Sequence, residues 1–141
     1  MDANKIINKL GMTSVMVLLS VYGYMGNGIA ITVLGVLVVL KTILQFVLWG
    51  AHGSSISNWE EYKTNFTTSD WDDYVSSTKA VILSETPVLL RVLINISWIM
   101  AVFVLYKDGL VLTSILYLVS TALIQTFQHT LRRLVKEETD G

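Results

Sequence analysis

Hydrophobic residues run almost without interruption through the first third of the chain. Between residues 10 and 50 the one charged side chain is Lys41. A single helix of that length, at about 1.5 Å per residue, would be about twice as long as the ~30 Å hydrocarbon core of a bilayer, so the run must turn back. Residues 23–28 contain three glycines and an asparagine, which suit a tight turn. The pattern predicts two membrane spans, at about 6–25 and 28–50.

A second pair of apolar segments follows a polar stretch. These segments cover about 88–106 and 110–128, and a short polar break at 107–109 separates them. Each has the length that one membrane crossing requires. The sequence therefore predicts an all-α membrane protein in a single transmembrane domain over 1–141, with four transmembrane helices arranged as two helical hairpins.

Basic residues are distributed unevenly between the two faces that four crossings create. Both termini, the central loop at 51–86 and the tail at 129–141 would share one face. The basic residues on that face are Lys5, Lys9, Lys63, Lys79, Arg132, Arg133 and Lys136, whereas Lys107 lies on the other. By the positive-inside rule the basic face is cytoplasmic. We therefore expect a multi-pass protein of the inner membrane, with both termini, the loop and the tail in the cytoplasm.

A three-span arrangement is the alternative topology. In it, one long tilted helix covers 15–40, and residues 42–49 lie in the membrane interface. Lys41 would then sit at a membrane edge, and the asymmetry of basic residues would be lost.

The central loop contains an internal repeat. The pattern S-[ND]-W-[ED]-[ED]-Y occurs at 57–62 and again at 69–74. Each copy places an acid three residues after a serine, as in a capping box, which predicts two short helices. Trp and Tyr three positions apart share a helical face, and such rings favour the headgroup level of a bilayer. We expect these helices to be interfacial, with contacts to the interface or a partner made by Trp59, Tyr62, Trp71, Tyr74, Asp72 and Asp73.

The composition excludes several classes of protein. The chain is 52% hydrophobic and 15% charged, whereas soluble domains carry about 25% charged residues. A formal net charge of -1 argues against a nucleic-acid partner. The absence of cysteine excludes thiolate metal sites and cysteine nucleophiles. Because no catalytic, metal-ligand or cofactor motif is present, we predict no enzymatic activity, no metal and no cofactor.

Lys41 is the most informative residue within the predicted spans. A charge at that depth costs several kcal/mol unless it is hydrated or paired, and no Asp or Glu occurs in any span. Arg91 and Asn95 are four positions apart and share a helical face. Together with Lys41 they predict a cationic recess for anions or anionic lipid headgroups, lining a pore or an anion-binding site. The alternative is that the long side chains of Lys41 and Arg91 snorkel to the membrane surface.

Side-chain amides also lie within the predicted spans. Such groups commonly hydrogen-bond between helices and hold a bundle or an oligomer together. We predict this helix-packing role for Gln45, Gln125 and Gln128.

The functional prediction rests on this layout. Small drug exporters with four spans need a carboxylate in the membrane, which this chain lacks. In layout alone the chain is similar to phage holins, which are short, multi-spanning and ended by a charged cytoplasmic tail like residues 132–138. We predict a non-enzymatic membrane protein that self-associates or docks a membrane-protein partner through its helix bundle and its acidic, aromatic loop. The alternative is an oligomeric channel, a holin-like pore or an anion transporter, with Lys41 lining a hydrated path.

Overall fold

The computed structural model describes residues 2–82 and 86–140. Over these residues the chain forms six helices and no strand. In chain order the helices are α1 (Ala3–Tyr24), α2 (Gly28–Ser57), α3 (Trp59–Asn65), α4 (Thr68–Ile82), α5 (Val88–Lys107) and α6 (Val111–Asp140). Residues 83–85 of the predicted loop and residue 141 of the predicted tail lie outside the described residues.

Four of these helices, α1, α2, α5 and α6, are long and apolar enough to cross a membrane. Many of their large apolar side chains are exposed, among them Ile29 at 79%, Leu89 at 73% and Leu112 at 70%. A water-soluble protein would not expose contiguous apolar surface on this scale. The predicted all-helical fold with four apolar spans is confirmed, and it is consistent with a multi-pass membrane protein.

Two connections of three residues follow the same design. Gly26 and Gly109 are the residues with positive φ, at 92° and 96°, among those described. In each connection the amide after the glycine donates a hydrogen bond to the carbonyl five residues earlier, at 3.0 Å from Asn27 and 2.9 Å from Leu110. This is the Schellman motif, which needs glycine because other residues are strained at positive φ. The three-span alternative is wrong, because it requires one helix over 15–40, whereas α1 ends at Tyr24 and α2 begins at Gly28.

Two of the four long helices continue beyond the predicted spans. The helix predicted to end near 50 continues to Ser57, and the helix predicted to end near 128 continues to Asp140. The first residues of the predicted loop and most of the predicted tail are therefore helical. Apolar side chains explain the second extension, because Leu131, Leu134 and Val135 form a stripe that packs in a core.

The two short helices exist, but the serines of the repeat do not cap them. Ser57 is the last residue of α2, and α3 follows Asn58, whose side chain makes no capping hydrogen bond. Thr67 precedes α4, and its Oγ1 accepts a hydrogen bond from the amide of Asp70 at 3.2 Å. The predicted capping boxes at Ser57 and Ser69 are therefore wrong. Ser57 belongs to the end of α2, and Thr67, not Ser69, accepts the hydrogen bond at the start of α4.

The chain forms two compact units, and α2 and α6 contribute to both. Unit 1 comprises residues 1–43 and 85–119, and unit 2 comprises residues 44–84 and 120–141. The buried core of unit 1 consists of Met16, Leu34, Val38, Ala101, Val102, Val104, Leu105 and Tyr117. The buried core of unit 2 consists of Trp59, Trp71, Ile82, Leu131 and Val135.

Candidate functional site

Lys41 in unit 1 lies against aromatic rings. Its ammonium is 4.0 Å from the centroid of the Trp98 ring and 5.8 Å from that of Tyr117. The two rings are themselves stacked, 6.2 Å apart with 17° between their planes. A cation within about 6 Å of a ring face is attracted by the electrons of the ring, most strongly for tryptophan. The half-buried charge of Lys41 is thus stabilised by π faces, which act in place of a carboxylate.

Arg91 and Asn95, which we predicted to line a recess with Lys41, lie on α5 with exposed side chains. The contacts of the Lys41 ammonium are with Trp98, one turn beyond Asn95, and with Tyr117 on α6. Tyr117 was not predicted as a site residue, because nothing in its local sequence indicates which helix it faces.

The amide of Gln45 joins two helices within unit 2. Its Oε1 accepts hydrogen bonds from Ser120 Oγ at 2.7 Å and from Thr121 Oγ1 at 3.2 Å. Gln45 is 9% exposed, so water competes little for this contact. The other two predicted packing amides differ, since Gln125 is exposed and Gln128 is half-buried.

The aromatic residues of the repeat form one cluster in unit 2. The Trp59 and Trp71 rings meet edge to face, with centroids 4.9 Å apart. Tyr74 contacts both tryptophans, at 5.9 Å and 5.7 Å, and also Tyr62 at 5.5 Å. Trp59 and Trp71 are 2% and 8% exposed. Both indoles therefore belong to a protein core, and neither presents its face to the unit's surface.

The acidic residues of the same repeats are exposed, in contrast to the buried tryptophans. The side chains of Glu60, Glu61, Asp70, Asp72 and Asp73 are all exposed. The described residues contain one salt bridge, from Lys63 Nζ to Glu138 Oε1 at 2.6 Å. Trp71 Nε1 donates to Oε2 of the same carboxylate at 3.2 Å. None of the five acids of the repeats forms a salt bridge in the described part of the chain, although Glu60 is close enough to Lys63 to contribute to the raised pKa of that lysine.

Among residues 2–82 and 86–140, no group of three or more His, Asp or Glu side chains could hold a metal ion. Two buried nitrogens on α2, Trp49 Nε1 and His52 Nε2, have no hydrogen-bond partner. They lie three positions apart in unit 2, where the Trp49 ring packs against Phe127 with centroids 5.8 Å apart.

Comparison with known proteins gave no match to a protein-family model, a curated protein or a solved structure.

Proposed function

We propose that this chain is a non-enzymatic, multi-pass membrane protein that works by associating with a second copy or with a membrane-protein partner. The observation that carries the proposal is the division within each W-[ED]-[ED]-Y repeat. Trp59 and Trp71 pack inward, whereas the adjoining acids are exposed and form no salt bridge with the described residues. Exposed acids that form no salt bridge favour a counterpart of the opposite charge, through both the rate and the specificity of association.

A second copy offers such a counterpart. Unit 2 carries exposed basic side chains on α6, including Arg133 and Lys136. Because acids on α3 and α4 and bases on α6 belong to the same unit, two copies can pair the acids of one with the bases of the other. A partner protein with a basic juxtamembrane segment has the same chemistry.

The proposed topology places this unit in the cytoplasm. Two helical hairpins, with turns at Gly26 and Gly109 on the opposite face, bring the loop, the tail and both termini to the basic side of the membrane. In this arrangement α3 and α4 lie near the inner-membrane interface.

Association is tested with a carbodiimide, which couples a carboxylate directly to an amine, applied to the full-length protein in its membrane. The acidic variant carries Glu60→Gln, Glu61→Gln, Asp72→Asn and Asp73→Asn. We expect cross-linked species in the parent and a several-fold loss of them in this variant. Asp2→Asn with Asp108→Asn removes carboxylates from unit 1 and should leave the cross-linking unchanged. A strictly monomeric parent, or equal cross-linking in all three proteins, contradicts the proposal.

Topology is tested with single cysteines, which this cysteine-free chain allows. Ser76→Cys on α4 and Thr139→Cys on α6 should resist a membrane-impermeant thiol reagent until cells are permeabilised. Met25→Cys, at a position that is 74% exposed, should be labelled in intact cells. Labelling of Ser76→Cys from outside contradicts the proposed orientation.

The alternative function, a pore or anion transporter, is supported by one observation. Lys41 is a half-buried cation in an apolar helix, and the described residues give it no acidic partner. Its ammonium is directed at the Trp98 ring, however, and a residue held in that way is less suited to a hydrated path. This alternative is tested by measuring anion flux through liposomes that contain either the parent or Lys41→Leu. Equal flux in the two would show that Lys41 does not line a conducting path.

A further inference from the structure

A groove with a polar end and an apolar end lies between α1 and α5 in unit 1. Its volume is about 360 Å³, which falls within the range of about 300–1,000 Å³ typical of ligand sites. Polar side chains of α1 line it near the start of that helix. The rest is lined by apolar side chains of both helices and by Ser97, whose hydroxyl donates to the Ile94 carbonyl at 2.6 Å. The lining includes Asn8, Lys9, Thr13, Met12, Ile94 and Trp98.

The Lys9 ammonium has capacity for an anion. Its Nζ donates a hydrogen bond to the neutral Oγ1 of Thr86 at 2.6 Å. An ammonium group has three donors, so two of them remain after this bond. The one salt bridge among the described residues lies in unit 2, so Lys9 is not neutralised by an acid in the described part of unit 1.

Two further cations adjoin residues that line the groove, although neither lines it. Arg91 is three residues before Ile94 and seven before Trp98, so it shares their face of α5 and extends it towards the helix start. Lys41 rests on the Trp98 ring that lines the groove. Basic recesses between transmembrane helices at a cytoplasmic membrane face are typical binding sites for anionic lipid headgroups.

A second groove between the same helices provides a contrast. It is slightly larger, at about 410 Å³, and no charged residue lines it; its lining includes Ser20, Val21, Ile96, Met100 and Phe103. The hydroxyl of Ser20 donates to the Met16 carbonyl at 2.8 Å. The second groove therefore offers mainly apolar contacts, whereas the groove at Lys9 combines a cation with an apolar wall.

We propose that the groove at Lys9 binds one anionic phospholipid of the surrounding membrane. The lipid phosphate accepts hydrogen bonds from Lys9 Nζ and the Asn8 amide, and an acyl chain lies along Met12, Ile94 and Trp98. The side chain of Met12 is 60% exposed, so the apolar end is open to lipid from the side. The headgroup then sits where the basic start of α1 meets the membrane surface.

The position of Trp98 provides the experiment. The full-length protein is reconstituted in phosphatidylcholine vesicles that contain a small fraction of phosphatidylglycerol, and one of the two lipids carries brominated acyl chains. Bromine quenches nearby indoles, and subtraction of the signal of Trp98→Phe isolates the contribution of Trp98. We expect quenching by brominated phosphatidylglycerol at a several-fold lower mole fraction than by brominated phosphatidylcholine.

Variants separate a site from general attraction to charge. Lys9→Gln should weaken the phosphatidylglycerol preference about five-fold, the effect of one basic residue near a headgroup, and Lys9→Arg should restore it. Lys107→Gln makes the same charge change at the end of α5, away from the groove, and should leave the preference for phosphatidylglycerol intact. Equal quenching by both lipids in the parent overturns the proposal, as does an equal effect of Lys9→Gln and Lys107→Gln. Complete competition by millimolar inorganic phosphate also overturns it, since the acyl chain would then contribute nothing.

Discussion

The Lys41 ammonium lies 4.0 Å from the centre of the Trp98 ring, on a helix that offers it no carboxylate. The arrangement solves the problem that a charge within an apolar span creates. A tryptophan face attracts a cation and costs little to place among lipids, whereas a buried carboxylate partner would itself need desolvation.

A double-mutant cycle on Lys41→Met and Trp98→Leu measures this contact. We expect a coupling energy of about 1–2 kcal/mol, the range for partly desolvated pairs. The readout is the free energy of unfolding of the reconstituted protein in a denaturing detergent. Lys107 and Tyr24 form a comparison pair at 3.6 Å. Their coupling should be smaller, about 0.5–1 kcal/mol, because both side chains are exposed. Equal coupling in the two pairs would contradict the role of burial.

Gln45→Ala should destabilise unit 2 more than Gln125→Ala. The Gln45 amide accepts hydrogen bonds from hydroxyls on α6, and such contacts between membrane helices contribute about 0.6 kcal/mol on average and up to about 1.7 kcal/mol. Gln125 is exposed, so the same change there should have an effect near zero. Unfolding in denaturing detergent measures both, and equal losses would show that the buried contact adds nothing.

Gly23→Ala and Gly11→Ala form a matched pair on α1. A Cβ at position 23 would lie 3.0 Å from Val104 Cγ1, whereas one at position 11 meets nothing within 4 Å. Alanine at position 11 should stabilise the helix by up to about 1 kcal/mol, through helix propensity. At position 23 overpacking should cost about 1–3 kcal/mol. The thermal stability of each variant is compared with that of the parent, and we expect it to rise for Gly11→Ala and to fall for Gly23→Ala. A stabilising Gly23→Ala would contradict the close approach of α1 and α5.

The contact between Lys63 and Glu138 predicts a loss of stability at high pH. The hydrogen bond and the negative charge of Glu138 raise the pKa of Lys63 above its usual value. A raised pKa stabilises the folded state while the lysine is charged in both states, that is, below about pH 10.4. The stabilisation disappears as the pH rises through the raised pKa. The thermal unfolding temperature, followed by circular dichroism, should therefore fall above that pH in the parent.

Substitution of the lysine provides the control for that measurement. Lys63→Met should remove the pH-dependent part, and Lys79→Met should retain it, because Lys79 is exposed and forms no salt bridge with the described residues. A pH profile that is the same in Lys63→Met and in the parent would exclude this pair as the cause.

The span count and the turns follow from the sequence alone. A hydrophobic helix much longer than the thickness of a bilayer must turn back. Glycine commonly ends a helix at such a turn, because it adopts positive φ without strain. For this reason the break at Gly26 and the helix start at Val88 were predictable from composition and spacing. The two short helices of the repeat were predictable in the same way, because acids in a first turn favour a helix start through the helix dipole, which acts over a few residues.

The partners of individual side chains depend on tertiary structure. Lys41 lies against Trp98 and Tyr117, and Gln45 against Ser120, and these pairs are far apart in the chain. Their meeting depends on how α2, α5 and α6 rotate and slide against one another, and local patterns carry no information about that register.

The same distinction explains the central loop. The repeat at 57–74 has a helical pattern of aromatic rings, which fits a membrane surface as well as a protein core. Residues Leu131 and Val135, distant in sequence, supply the apolar face on which Trp59 and Trp71 pack. Local sequence determined that the rings share a face and that the acids lie beside them. Only the tertiary structure decided that this face is buried against α6, because burial depends on whether another segment of the chain is present to cover it.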